Sequence, residues 1–296
     1  MAPMPLAAAN GIEICYETFG DPDDPPLLLV MGLGAQLLSW PEDFCQALVG
    51  RGFHVVRYDN RDVGLSTHID TPYLDVPAAI MAAMMGDPSQ APYLLGDMAA
   101  DAVGLLDALG IDAAFVVGAS MGGMIAQALT IDHPERVTGL TSIMSTTGEP
   151  DVGQADPEVL TKILAPRPAG RAAVIDHQVE ISRAICSPEH FDDAEARRMA
   201  AAAYDRAFDE VGTARQVLAI AASGSRAEGL ATLTVPTLVV HGRQDPLVAL
   251  SGGERTAELV PRAELLVIDD MAHDLPPAHW AQIIEAITGL ATRARR

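Results

Sequence analysis

The chain has a single lysine, Lys162, among its 296 residues, and no basic residue of any kind before Arg51. A secretory signal needs a positively charged start, so no such leader is expected and the protein is expected in the cytoplasm. Long apolar runs are also missing. Residues 27–38 come nearest, but glycines and Gln36 interrupt them well short of the ~20 residues that a membrane span requires. Cysteine is scarce: Cys15, Cys45 and Cys186 are widely spaced and odd in number, which argues against a disulfide framework and against a cysteine zinc site. They are expected to pack as small hydrophobes. Positive charge is in deficit, with 19 Lys and Arg against 40 Asp and Glu, a formal net charge of −21. Such a surface repels phosphate backbones and anionic lipid, so neither nucleic acid nor a membrane surface is an expected partner. What is present is the composition of a soluble globular protein. At 49% hydrophobic, the chain can bury one large core, or a core and a small accessory domain. The oligomeric state is left open.

Strand-like and helix-like segments alternate along the chain. Strands are expected at residues 11–19, 27–31, 53–58, 113–117, 137–142, 236–241 and 263–268. Helices are expected at 41–49, 95–109, 121–130, 253–259 and 277–290. This alternation implies a mostly parallel sheet with helices on both faces. Two stretches interrupt it. Residues from about 147 to 229 are rich in Ala, Arg and acidic residues and carry no convincing strand, which suggests a helical insertion over one end of the sheet. Residues 68–92 are long for a connection and hold Met81, Met84 and Met85 among four prolines. Connections of that length often bind ligands, which makes Met84 and Met85 candidate substrate contacts, although methionines also serve as core filler.

The string GASMGG, residues 118–123, sits between the apolar run at 113–117 and a helical stretch that closes at His133-Pro134. A strand, a small-residue turn and a helix in that order form the setting of a nucleophile elbow, in which Ser120 is held in a strained conformation and Gly118 and Gly122 let the two elements pass closely. A serine hydroxyl needs a base, and the base needs a third group to fix its tautomer. Of eight histidines, His273 falls in the polar stretch DDMAHDLP after the strand ending near 268, at the same carboxyl edge of the sheet as Ser120. His54 and His241 lie within or at the end of strands, His133 ends the helix after Ser120, and His68, His177, His190 and His279 fall on exposed-looking loops or helices. The carboxylate is expected from HGRQDPLV, where Asp245 follows another strand; Glu149 and Asp151 are alternatives after the strand before it. An oxyanion hole is expected from the backbone N–H groups of Met121, at a helix start, and Leu33, in the glycine-bearing loop MGLG at 31–34.

Together, GASMGG, HGRQDP, MAHDLP and YDNRDVGLS (58–66) resemble the α/β-hydrolase superfamily over essentially the whole chain. LLLVMGLG and RYDNRDVGLST are most similar to the group containing aclacinomycin methylesterase, which removes a methyl ester from a polyketide. Met31 stands where many members carry His. The resemblance implies an eight-stranded α/β-hydrolase core at 1–145 and 230–296, with a helical cap at 146–229. It also implies a serine carboxylesterase for a small hydrophobic ester, using the triad Ser120, Asp245 and His273 with no metal or organic cofactor. A cofactor-free perhydrolase or haloperoxidase, or a carbon–carbon bond hydrolase, would use the same triad. A binding protein on a retained hydrolase fold is the alternative from another class, and it predicts loss of a triad member. Dehalogenases and epoxide hydrolases carry Asp at the elbow, and Ser–Lys chemistry is disfavoured because Lys162 lies in the insertion.

Overall fold

In the computed structural model of the protein, residues 4–71, 75–163, 165, 168–209 and 211–294 are described, apart from the side chains of residues 76, 77 and 84. The strands are β1 (Leu6–Ala9), β2 (Ile12–Phe19), β3 (Pro26–Val30), β4 (His54–Tyr58), β5 (Ala114–Ala119), β6 (Val137–Ile143), β7 (Thr237–Gly242) and β8 (Glu264–Ile268). They form one eight-stranded sheet in the order β1-β2-β4-β3-β5-β6-β7-β8. The pairs β1–β2 and β2–β4 are antiparallel, and every later pair is parallel. The chain runs from β3 outward to β4 and then returns to place β5 on the other side of β3. The order therefore reverses between β3 and β5, and a crevice opens beyond their carboxyl ends.

The helices are α1 (Glu42–Val49), α2 (Val76–Met84), α3 (Leu95–Ala108), α4 (Met121–Asp132), α5 (Pro157–Ile163), α6 (Arg171–Ile185), α7 (Asp193–Arg206), α8 (Gly212–Ser223), α9 (Ala227–Leu230), α10 (Leu250–Leu259) and α11 (Pro277–Ala294). Between β6 and β7 the chain makes only helices, α5 to α9, among the described residues. Alternate strand residues sort the core into two layers, because successive side chains point to opposite faces. Leu28, Val30, Val56 and Val116 pack with Met98, Leu105 and Ile125 of α3 and α4. Leu27, Leu29, Val55 and Val117 pack with Phe44 and Leu48 of α1 and Ile283, Ile287 and Leu290 of α11. Each such side chain contributes about 1.5–3 kcal/mol by leaving water. No helix among the described residues is long and apolar enough to cross a membrane.

Two elements depart from the sequence expectation. β1, with the sequence LAAA, is poor in strand-forming side chains, and its pairing with β2 stabilises it instead. The 68–92 connection holds α2, whose N-cap Asp75 accepts from the Ala78 amide and whose Pro77 sits in the first turn, where proline costs no hydrogen bond.

The junction of β5 and α4 is packed backbone against backbone. A Cβ on Gly118 would lie 2.1 Å from the Gly122 carbonyl oxygen, and one on Gly122 would lie 2.1 Å from the Val30 carbonyl oxygen. Cys15 and Cys45 are buried as well, and Cys186 is half-buried. Burial, the largest cause, pushes Cys15 up to about 11 and both Cys45 and Cys186 up to about 12, so little thiolate exists at neutral pH.

Gly122→Ala is expected to lower stability by roughly 2 kcal/mol or more in urea denaturation, because neither backbone can move aside. Gly96→Ala is the control: its Cβ would meet only Asp132 Oδ2 at 3.8 Å, and unchanged or slightly raised stability is expected. With a disulfide reagent, the native protein is expected to titrate far more slowly than the urea-unfolded chain, which releases all three thiols.

Candidate active site

Ser120 follows β5 directly and caps α4 with φ 57° and ψ −123°, a conformation that costs a non-glycine residue roughly 1–3 kcal/mol. The surroundings enforce it. The Ser120 amide donates to the Ile143 carbonyl at 2.9 Å, and its own carbonyl accepts from the amides of Gly123 and Met124 at 2.9 and 3.2 Å. Gly123 is fixed in turn by β6, since a Cβ there would lie 2.6 Å from Ser145 Cβ. The side chain of Ser120 is thereby lifted above the sheet edge.

His273 and Asp245 reach the same point from the loops after β8 and β7. Ser120 Oγ lies 2.9 Å from His273 Nε2, and His273 Nδ1 lies 2.7 Å from Asp245 Oδ2. The carboxylate only accepts, so Nδ1 carries the proton and Nε2 is left as the acceptor for the serine O–H. Asp245 Oδ1 accepts from the amides of Leu247 and Val248 at 2.9 and 2.8 Å. Burial pushes this carboxyl upward. The charge of His273, the side-chain contacts with His241 and His273 and the Val248 amide outweigh that push and hold it at about 2. It is therefore ionised across the neutral range.

His241 was not foreseen in this position. It is fully buried beneath Asp245, with Nε2 2.8 Å from the Val248 carbonyl and 3.5 Å from Asp245 Oδ2. The carbonyl can only accept, so the proton is on Nε2 and faces the carboxylate. Gly253 leaves room for this ring, since a Cβ there would lie 2.4 Å from His241 Nδ1.

The 31–34 loop lies beside the serine. A Cβ on Gly32 would be 3.0 Å from Ser120 Cβ and 3.5 Å from Oγ, so a larger residue would crowd the serine. Asn60 Nδ2 donates to the Met31 carbonyl at 2.8 Å, and the Gly34 amide donates to Gln216 Oε1 at 2.8 Å. Gln216 Nε2 donates to the Arg61 carbonyl, also at 2.8 Å. The loop is thus braced by a β4-end asparagine and an α8 glutamine, with Met31 itself buried in the apolar layer. Asn60 lies within YDNRDVGLS and was findable as part of that string. Gln216 carries no local signal, because its contacts are made across more than 150 residues of chain.

Ser120, His273, Leu33 and Met31 line a cavity of about 660 Å³ with Met144, Leu247, Leu275 and the α6 residues His177, Ile181 and Ile185. From α2 the wall takes Ile80. Met85 is not brought there: it is 82% exposed at the end of α2, five residues and about 140° around the helix from Ile80. The Met84 side chain lies outside the described residues. Among the alternative carboxylates, Glu149 is engaged elsewhere, by Arg255 at 2.9 and 3.1 Å and by Thr147 Oγ1 at 2.9 Å, and Asp151 is exposed.

With this geometry in place, comparison with known proteins is informative. Rhodomycin D methylesterase DauP from Streptomyces sp. (strain C5) is 29% identical over 308 residues, spanning 96% of this chain and 97% of that protein. The 3-oxoadipate enol-lactonase 2 of Acinetobacter baylyi is 26% identical over 88% of this chain and 86% of its own. Among solved structures, the meta-cleavage product hydrolase from Pseudomonas fluorescens IP01 superposes with a TM-score of 0.77 at 22% identity over 98% of both chains, a likeness of fold. The similarity to methylesterases expected from the sequence strings is borne out. The family model described as the alpha/beta hydrolase fold matches residues 25–277, and with the sheet order and the strand-end loops above it establishes that this chain belongs to the α/β-hydrolase fold family.

Proposed function

We propose that the protein is a serine hydrolase of carboxylic esters, acting through Ser120, His273 and Asp245 by way of an acyl-enzyme. The observation that carries this reading is the continuous chain from Ser120 Oγ through His273 to Asp245 in the wall of a largely apolar cavity. His273 Nε2 takes the serine proton as Oγ attacks the ester carbonyl. The amides of Leu33 and Met121 receive the developing oxyanion, aided by the dipole of α4. Asp245 holds the imidazole in the required tautomer and stabilises the imidazolium. His273 then protonates the departing alkoxide, and water activated by the same nitrogen releases the acid. In this reading residues 146–229 form a cap over a core of residues 1–145 and 230–296, with α6 as the cap's contribution to the cavity.

The substrate is a small hydrophobic ester. Methylesterases are among the relatives that align end to end, which favours methanol as the leaving group. The fold neighbours that cleave carbon–carbon bonds or lactones give a second reading on the same triad. A panel of methyl, alkyl and aryl esters, lactones and vinylogous diketones separates the two.

Ser120→Ala is expected to lower kcat on the best ester by roughly 10⁴-fold or more while preserving the fold. A fluorophosphonate probe is expected to label Ser120; labelling of another residue, or undiminished turnover by the variant, would overturn the assignment. For Asp245→Asn a loss in kcat of the order of 10⁴ is expected, because the wrong tautomer becomes available. The carboxyl also sets an acid dependence. Its folded value is held below the unfolded one, so its stabilisation is complete above about pH 5 and fades as pH falls toward 2. In urea titrations the margin of the wild type over Asp245→Asn is expected to shrink by about 2 kcal/mol across that interval.

A further inference from the structure

On the far side of the loop that carries His273, three side chains from three separate segments converge. The carboxylate of Asp270, in the turn after β8, sits between two imidazoles: Oδ2 is 3.1 Å from His190 Nε2 and Oδ1 is 3.1 Å from His279 Nε2. His190 lies in the turn between α6 and α7, and His279 lies in the first turn of α11. One donor atom from each residue falls within 4.8 Å of the other two. The two rings meet edge to face, with centroids 5.0 Å apart at 89°.

We propose that His190, Asp270 and His279 form a binding site for a borderline divalent transition ion, with zinc as the best match. Two imidazoles and one carboxylate are a known class of zinc donor set, with metal–ligand bonds near 2.0–2.2 Å and a water in the fourth position. In a tetrahedron with such bonds, donor atoms stand about 3.3 Å apart, so a set already within 4.8 Å needs only a modest contraction to close on an ion. His279 Nε2 supplies an independent indication. It is buried and makes no hydrogen bond, although Asp270 Oδ1 lies 3.1 Å away. A buried imidazole nitrogen beside a carboxylate but without a hydrogen bond to it is free to offer its lone pair to a cation. The residues are partly exposed, with 12%, 23% and 40% of the His279, His190 and Asp270 side chains accessible, so an ion and its water can enter.

The other cluster of this kind, Asp62, His68 and Asp209, does not compete. The guanidinium of Arg215 already lies 2.7 Å from Asp62 Oδ1 and 3.1 Å from Asp209 Oδ2 and occupies the place of a cation.

The site has a role in the architecture. Ser187 is buried and binds the 272–274 loop three times, its Oγ accepting from the Ala272 amide at 2.8 Å and donating to Asp274, and its amide donating to Asp274 Oδ1 at 3.1 Å. The His273 amide donates to the Ile185 carbonyl at 2.9 Å. His190 is three residues beyond Ser187, and Asp270 is three residues before His273. An ion held by both would clamp the α6–α7 turn to the loop that carries His273, outside the cavity and without touching the reacting atoms.

Protein stripped with a chelator is to be titrated with Zn²⁺ by calorimetry and with Co²⁺ by visible absorption. One equivalent is expected to bind, with d–d bands of four-coordinate intensity for Co²⁺ and a rise in Tm of about 4 °C at a hundredfold excess of free Zn²⁺ over Kd. His190→Asn and His279→Gln are each expected to weaken binding about a hundredfold while leaving the metal-free melting temperature and the ester turnover of the stripped protein unchanged. Absence of saturable binding, or equal binding by the double variant, overturns the proposal. Should a variant fail to fold, anomalous scattering from zinc-soaked wild-type crystals decides: a peak between the three donors supports the site, and a peak elsewhere or none refutes it.

Discussion

Everything at this site hangs on how closely the β5–α4 junction approaches its neighbours. Ser120 occupies a backbone conformation it would not choose, and it stays there because both sides of the turn are closed. Beneath it, Gly118 touches the backbone of Gly122, and Gly122 touches the carbonyls of Val30 and Met31. Beside it, a Cβ on Gly32 would stand only 3.0 Å from Ser120 Cβ. Since β3 and β5 are adjacent only where the strand order reverses, the same contact that strains the serine also brings the 31–34 loop within reach of it. Ser120 and the 31–34 loop are thus positioned by one packing solution.

The parts of this arrangement that could be read from the sequence are those with local signatures. Ser120, Asp245 and His273 each follow an apolar strand-like run, and position at a strand end is a property of neighbours in the chain. The alternation of strands and helices was legible for the same reason. β1 was not, because alanines do not announce a strand, and α2 was masked by the prolines around it. Met85 was misplaced because a stretch of methionines gives no helical phase until the helix is known to exist. Gln216, Ser187 and His241 were invisible as functional neighbours. Their significance lies in hydrogen bonds to residues brought near by folding, across 182 residues for Gln216 and Gly34 and 85 for Ser187 and Ala272.

The scarcity of basic residues takes on a different meaning once they are located. Among so few cations, several are spent inside the fold, at the loop that follows β4. Arg61 pairs with Asp101 through two contacts of 2.6 Å, Arg215 pairs with Asp62 at 2.9 and 2.7 Å, and Arg206 reaches Asp59 at 2.7 Å. Asp59 also accepts from the amides of Leu37 and Leu65, and Tyr93 donates to Asp62 at 2.6 Å. Buried pairs of this kind add little net stability over an apolar replacement, but losing one partner costs about 3–5 kcal/mol. Their effect here is to fix a loop that lacks regular structure, and that loop carries Asn60, which holds Met31. Each of these pairs is neutral as a whole, so the formal charge of −21 is carried by the acidic groups outside them.

The burial of Asp245 follows a similar logic with a different partner. A carboxylate with no exposed side-chain surface is normally driven toward its neutral form. A neutral acid would donate to His273 and reverse the tautomer on which the proposed proton transfer from Ser120 depends. Two backbone amides and two imidazoles prevent this, and the second imidazole, His241, is itself locked by the Val248 carbonyl. Val248 supplies both an amide that binds Asp245 and the carbonyl that orients His241, so one residue supports the carboxylate directly and through an imidazole. The chain of contacts from Ser120 through His273 to Asp245 therefore extends one layer further, to a histidine whose place at the end of β7 concealed it.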